Sequence, residues 1–374
     1  MTGTFDVVVI GGGIAGVSIG YELAADQRVC LLEQESTLAF HTTGRSAALY
    51  LETFGNATVR TLTSASRAFL TDPSAGFDGP ILTPRPYLVF ARQGRGDALA
   101  GFCYEVRRQV PAVEMLSADD AIGLAPYLRR DAIAAALVDP TSMEIDVHAL
   151  HQGYVRGLRQ RGGEIRTRAA VAALDRAGGV WTATLADGET VSAPVVVDAA
   201  GAWADSIAEL AGAAPTGLSP KIRTIFAVDA PDSLTTSTLP VVDDLDNTFY
   251  LKPEVNGLLC SPADETPSHP HDVRPSDLDI ARAIESVNDV TDLNLRHVRS
   301  SWAGLRTFAP DRSPVVGFDP GVDGFFWFAG QGGYGIQMAD GLARTGAAIF
   351  RGQALPSEVA AGGVRHEALA PDRS

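Results

Sequence analysis

Gly11-Gly12-Gly13-Ile14-Ala15-Gly16 carries the spacing G-x-G-x-x-G, placed where the apolar run Val7-Val8-Val9-Ile10 stops and helically spaced residues begin. Gly11 permits the chain to reverse, Gly13 leaves bare backbone for a pyrophosphate, and Gly16 lets a helix pack closely on a strand. The N-terminus of such a helix aims unpaired N–H groups at the phosphates. Glu33 follows about 20 residues after Gly13, ending the next apolar run, where a carboxylate accepts hydrogen bonds from ribose hydroxyls. Strand, helix, second strand and terminal acid together predict a dinucleotide site rather than an empty glycine turn, without choosing between FAD and NAD. Arg223, Tyr250 and Arg306 suit a carboxylate: guanidinium is a planar two-pronged donor that stays charged, and a phenol adds a third donor. Taken singly, each reads better as a surface arginine or a core tyrosine.

These residues need a scaffold. Residues 6–33 read as a βαβ unit, with continuous apolar strands as expected of a parallel sheet buried on both faces. Apolar spacing predicts further strands at 87–91, 132–138, 195–197, 221–228, 248–251, 257–261 and 325–329. It predicts helices at 57–70, 116–124, 146–161, from 203 through 210, and 335–351. Strand-plus-glycine segments recur near the start, near residue 200 and near residue 330. The fold class is therefore α/β: a discontinuous Rossmann-type domain with an inserted α+β substrate domain on a mostly antiparallel sheet. The expected division is 1–52, 145–220 and 301–356 for the cofactor domain, 53–144 and 221–300 for the substrate domain, and a frayed tail at 357–374.

With 374 residues the chain exceeds one ordinary core, and 45% hydrophobic with 20% charged residues is usual for a globular enzyme. A formal net charge of −15 disfavours nucleic-acid and anionic-membrane roles, and means that an anionic substrate needs local cations. No window is apolar for long enough to span a bilayer, and the start lacks the basic leader of a signal peptide. Cys30, Cys103 and Cys260 are spaced for neither metal nor disulfide, which points to a reducing, cytoplasmic setting. His269, His271 and His297 offer no zinc framework, and Asp243, Asp244 and Asp246 read as a solvated loop, so no metal is expected.

Longer matches narrow the cofactor. The segments Thr43-Gly44-Arg45-Ser46-Ala47-Ala48, Ser66-Arg67-Ala68-Phe69, Phe249-Tyr250-Leu251-Lys252-Pro253, Trp302-Ala303-Gly304-Leu305-Arg306 and Gln331-Gly332-Gly333-Tyr334-Gly335-Ile336-Gln337 run through nearly the whole chain. In these the sequence resembles the D-amino-acid oxidase family of flavoproteins, and within it the bacterial D-arginine dehydrogenases. The resemblance implies non-covalent FAD, although His41 is noted because some relatives attach flavin through histidine. It implies cofactor contacts at Gly11, Gly13, Ile14, Ala15, Gly16, Glu33, Gln34, Thr43, Arg45, Ser46, Ala47, Ala48, Val171, Ala200, Gly201, Trp203 and Gly304. The last turn would add Gly330, Gly332, Gly333, Tyr334, Gly335, Ile336 and Gln337, a helix N-terminus beside the ring that stabilises negative charge on reduced flavin.

The same resemblance makes Arg223, Tyr250 and Arg306 the substrate-carboxylate clamp and the Gly333 carbonyl an acceptor for the substrate amine. It also implies hydride transfer from Cα to flavin N5, with the protein supplying orientation. The side-chain pocket departs from the D-arginine dehydrogenase pattern. Tyr87 stands where that pattern has an acid, and Leu49, Leu51 and Phe54 replace a histidine, a threonine and a tyrosine. A buried guanidinium would lose its ion pair there, unless another acid such as Glu52 compensates. The first reading is thus a D-amino acid dehydrogenase for apolar or aromatic side chains, giving a 2-oxo acid and ammonia and passing electrons to an unidentified acceptor. Dehydrogenase is preferred to oxidase because strand 257–261 lacks the lysine that sarcosine-oxidase-like members use with oxygen. The alternatives are oxidation of a secondary amine or a 2-hydroxy acid, and, in another class, a catalytically inert flavin binder.

Overall fold

A computed structural model describes residues 5–74, 76–255 and 257–373. Its organising element is a six-stranded sheet in the order Val315–Phe318, Phe325–Ala329, Val195–Asp198, Val7–Ile10, Val29–Leu32, Glu164–Arg166. All neighbours are parallel except the antiparallel edge strand Val315–Phe318. The apolar runs are continuous because the sheet is covered on both faces. Val7, Val9, Val29 and Leu31 enter one core with helices Ile14–Leu23, Val147–Gln160 and Ala339–Phe350. Val8, Ile10, Cys30 and Leu32 enter the opposite core with helix Ala204–Leu210 and a small antiparallel sheet, Val171–Ala177, Val180–Leu185 and Thr190–Ala193. Alternate residues of one strand thus serve two cores, as the pleat requires.

The second large sheet has eight strands, ordered Ser300–Phe308, Ser219–Val228, Gly257–Ser261, Tyr250–Glu254, Val241–Asp244, Tyr87–Arg92, Ile133–Asp139, Glu114–Ser117. Only the pair Val241–Asp244 and Tyr87–Arg92 is parallel. The α/β class with a mostly antiparallel second sheet therefore holds. Three segments sit elsewhere than expected. Strand Ser300–Phe308 pairs along its whole length with Ser219–Val228, so it belongs to the eight-stranded sheet and not to the cofactor sheet. Helix Ala57–Thr71 buries Val59, Leu62, Ala65 and Leu70 in the core of the parallel sheet, against Ala339–Phe350. Residues 116–124 divide into the end of a strand and helix Ala118–Leu124, because the Ser117 hydroxyl accepts the Asp120 N–H (3.2 Å) and starts the helix there.

The last segment is not frayed. Val359, Val364 and Leu369 are buried in the first core, and the Leu369 carbonyl accepts from Val316 N–H (2.7 Å), adding a partner to the edge strand. Few bulky residues suffice because each is fully used. Leu369→Ala is expected to cost about 2–5 kcal/mol, as burial loss plus a cavity does for leucine. A urea titration checks this; an unmoved midpoint would return residues 357–373 to the status of a loose tail.

Candidate active site

Strand Val7–Ile10 hands the chain to Gly11 at φ +112°, and a Cβ there would lie 2.4 Å from the Ala199 carbonyl oxygen. Only glycine tolerates both conditions. A Cβ on Gly16 would lie 1.8 Å from the Gly11 oxygen, so the helix packs directly on the turn. The Ile14 N–H donates to Thr43 Oγ1 (3.0 Å), while among the described residues nothing accepts from the Ala15 N–H. First-turn N–H groups of this kind suit phosphate oxygens. Glu33 accepts from the Gly12 and Glu35 N–H groups (2.7 and 2.8 Å), one to each oxygen, which fixes its carboxylate at the cavity edge. Sequence reasoning passes over His151, whose buried Nε2 donates to the Gly12 carbonyl (3.0 Å). Burial holds its pKa below the ordinary imidazole value, so the ring braces the turn as a neutral group.

From this turn one cavity of about 840 Å³ runs between the two large sheets. Every residue expected at the cofactor or the substrate lines it, Gly16 excepted, whose place is in the packing beneath the turn. The loop 42–48 closes one side and is tied to the eight-stranded sheet. Thr42 Oγ1 donates to the Leu305 carbonyl (2.5 Å), Arg45 Nη1 to the Ala303 carbonyl (2.9 Å) and Trp302 Nε1 to the Arg45 carbonyl (3.2 Å). Gly304 is thereby held against the loop, its Cβ position 3.6 Å from Arg45 Cβ. His41 lines the cavity with its Nε2 on Glu35 Oε1 (2.9 Å) and its ring against Trp203.

The Gly330–Gln337 stretch closes the far side. It is a series of turns rather than helix, and the helix starts only at Ala339, four residues later than the sequence predicts. The Gly332 N–H donates to the Thr307 carbonyl (2.8 Å), which anchors the turn to the second sheet. Gln337, buried, donates to Thr63 Oγ1 (2.9 Å) and exchanges bonds of 3.3 Å with the Leu51 backbone, so it holds the loop that carries the pocket.

Pleat parity puts Arg306, Arg223, Tyr250, Asp243 and Tyr87 on one face of the eight-stranded sheet. The registers Lys221↔Arg306, Phe226↔Cys260, Tyr250↔Ser261, Asp243↔Tyr250 and Val241↔Tyr87 fix this. Arg306 and Arg223 converge on Glu265, a residue no sequence signal singles out. Its carboxylate accepts from Arg306 Nη2 (3.1 Å) and from Arg312 (3.0 and 2.8 Å), with Arg223 Nη2 at 3.6 Å and Lys221 Nζ at 3.5 Å. Burial acts to raise the Glu265 pKa, but Arg312, Arg223 and Lys221 outweigh it and hold the carboxyl below the usual range. Cations still outnumber carboxylates here, so an acidic protein presents a locally positive end. Arg306 Nε is shielded from solvent and has no acceptor among the described residues. A Cβ at Gly333 would come within 2.6 Å of Arg306 Nη1, so glycine at 333 lets the turn and the guanidinium meet without the arginine shifting.

The pocket wall beyond Arg223 and Arg306 differs from expectation. Leu49, Leu51 and Phe54 line it, but so does Asp243, and the Tyr87 hydroxyl donates to Asp243 Oδ2. Glu52 is not the compensating acid: it does not line the cavity and is taken by the Tyr50 hydroxyl (2.6 Å) and Arg67 (3.2 Å). Nor are Asp243 and Asp244 a solvated loop. They sit on a strand, with Asp244 buried against Arg92 (2.9 Å). Burial pushes the Asp243 carboxyl up to about 7, against the lowering effects of the Tyr87 hydrogen bond and the Arg223 charge. Among the described residues no group of His, Cys, Asp or Glu is arranged to hold a metal, and no helix is long and apolar enough to cross a membrane.

The lining suits a dinucleotide flavin: the glycine turn and helix start would take its phosphates, Glu33 a ribose, and the space between Ala47, Ala48 and the Gly330–Gly335 turn its flat ring. A family model described as FAD dependent oxidoreductase matches residues 6–349. Mitochondrial dimethylglycine dehydrogenase of Rattus norvegicus is 27% identical over 364 residues, covering 91% of this chain and 42% of that protein. The 4-methylaminobutanoate oxidase (formaldehyde-forming) of Paenarthrobacter nicotinovorans is 26% identical over 360 residues, covering 90% and 42%. The chain thus spans about two fifths of the length of these relatives. The crystal structure of glycine oxidase from Geobacillus kaustophilus superposes with a TM-score of 0.82 at 23% identity, covering 94% of this chain and 96% of that one, a likeness of fold. These matches support the family and not a particular kinship with D-arginine dehydrogenase. With a matched span that takes in the glycine turn, Glu33, Arg223, Arg306 and the last turn, the chain belongs to the FAD dependent oxidoreductase family, and FAD is its cofactor.

Proposed function

We propose that the protein oxidises the carbon–nitrogen bond of a small amine that bears a carboxylate, with secondary and N-methyl amino acids as the preferred class. The observation that carries this reading is the convergence of Arg223, Tyr250 and Arg306 on one cavity wall beside the Gly330–Gly335 turn, with the Arg306 Nε donor lacking an acceptor among the described residues. The named relatives, a dimethylglycine dehydrogenase and a 4-methylaminobutanoate oxidase, carry the same type of substrate in their names. They favour this class over the D-amino acid with an apolar side chain, and Asp243 in the wall argues the same way.

In this reading the two arginines and the phenol fix the carboxylate, and the Gly333 carbonyl accepts from the nitrogen. Orientation of this kind is worth about 7–11 kcal/mol of barrier when the reacting atoms are held in line. FAD, bound without a covalent link, supplies the acceptor for the hydride. Glu265 keeps Arg306 and Arg312 in place between turnovers and shares them with the incoming carboxylate. The electrons then pass to an acceptor other than dioxygen, in keeping with the apolar strand Gly257–Ser261, which carries no lysine. Anaerobic mixing with N-methylglycine, N,N-dimethylglycine, D-amino acids including D-arginine, and 2-hydroxy acids tests the reading by flavin bleaching. The N-methyl acids are expected to bleach fastest. If no acid bleaches the flavin, the protein is an inert flavin binder, and prompt oxygen consumption without a dye would make it an oxidase.

A further inference from the structure

The eight-stranded sheet presents a polarity along its cavity face. Arg306 and Arg223 stand on adjacent strands, Tyr250 follows two strands on from Arg223, then Asp243, then Tyr87. Strands lie about 4.8 Å apart, so the clamp and the carboxylate of Asp243 mark two ends of one pocket, cationic and acidic. Asp243 has one oxygen engaged by the Tyr87 hydroxyl and the other, Oδ1, shielded from solvent without a partner among the described residues. A buried carboxylate with a free oxygen costs stability unless something pairs with it. Among the described residues no cation lies within ion-pair distance of Asp243, Arg223 acting on it only from farther away, although Asp244, next in sequence, has Arg92.

We infer that Asp243, held by Tyr87, is the counter-charge for a cationic nitrogen of the substrate. The inference rests on the carboxylate clamp proposed above and adds a second recognition pole to it. Apolar Leu51, buried in one cluster with Tyr87, and Leu49 packed against that cluster make the wall near this pole apolar, which limits competition from water for the nitrogen. The groups that face Asp243 are Tyr87, Tyr250, Arg223 and the neighbouring Asp244, whose charge and backbone N–H act in opposite directions, and burial, the dominant effect on it, leaves its pKa at about 7. A bound cation favours the ionised form, so affinity for a cationic ligand rises as pH increases through this range. A ligand of the same shape without charge has no such dependence on Asp243.

Two isosteric pairs test this on the FAD-loaded protein, read by perturbation of the flavin spectrum. Trimethylglycine and 3,3-dimethylbutanoate differ only in quaternary nitrogen for quaternary carbon next to the carboxylate arm. The pair 4-(trimethylammonio)butanoate and 5,5-dimethylhexanoate places the same difference farther out. None of the four carries a nitrogen lone pair, so none is oxidised. The intact protein is expected to prefer the cation of one pair by about tenfold or more, and Asp243→Asn to abolish that preference while 3,3-dimethylbutanoate or 5,5-dimethylhexanoate binds as before. Preference in the first pair assigns Asp243 to the reacting nitrogen, and preference in the second to a more distant one. Tyr87→Phe, which keeps the ring and removes the donor, is expected to reduce the preference and serves if Asp243→Asn does not fold. Equal binding within both pairs, or a preference that survives both substitutions, overturns the inference while leaving the clamp intact. If none of the four acids perturbs the flavin, the clamp itself is wrong and the inference falls with it.

Discussion

Arg306→Ala is expected to lower kcat/KM for every carboxylate-bearing substrate by roughly 30- to several-thousand-fold, the range that removal of one partner from a shielded charge pair produces at about 2–5 kcal/mol. The guanidinium does three things that alanine does not. It offers an unclaimed Nε donor, it adds positive charge to the end of the cavity where the carboxylate is placed, and it packs against Gly333. The fold should survive, because Glu265 keeps its two hydrogen bonds to Arg312 and its approach to Arg223 and Lys221. Arg306→Lys should recover part of the loss, since it restores charge without the planar fork. Rapid-mixing measurement of anaerobic flavin reduction, with flavin content checked by absorbance, separates loss of turnover from loss of cofactor. A flavin-replete Arg306→Ala protein that reduces as fast as its parent would falsify the clamp.

Gly11→Ala should purify with less than about a tenth of the parent's flavin, because every 1.4 kcal/mol lost from binding is a factor of ten in affinity. A positive φ of this kind costs an L-residue about 1–3 kcal/mol, and the added methyl would sit 2.4 Å from the Ala199 oxygen. Backbone cannot yield as a flexible side chain can, so the turn itself must shift, taking with it the helix start that faces the phosphates. Gly13→Ala is the informative contrast. Its Cβ meets only Thr43 Oγ1, at 3.2 Å, so the fold should stay near parental stability while the methyl intrudes on the phosphate position. Thermal melts and the ratio of flavin to protein absorbance report both effects. A yellow Gly11→Ala protein with parental flavin content would move the phosphate site elsewhere.

What the amino-acid sequence determined by itself is the part governed by short-range rules. Continuous apolar strands, a glycine turn and an amphipathic helix are local, and together they define the βαβ unit and the acid at its end. The small sheet at 171–193 obeys the same rule, with Trp181, Ala183 and Leu185 alternating inward after the Gly178-Gly179 turn, yet it is not among the strands expected from the sequence. Helix Gly96–Arg107 is harder to read, since it contains Gly101 and buries only Leu99, Cys103 and Val106. Tertiary structure alone decided three things. It assigned strand Ser300–Phe308 to the second sheet, because strand pairing is set by long-range register. It wrapped Glu265 in four cations, since partners far apart in the chain meet only after folding. It also turned Asp243 from an ordinary loop acid into a shielded carboxylate beside Tyr87, a change that depends on which strand lies next to it and on the water that packing removes.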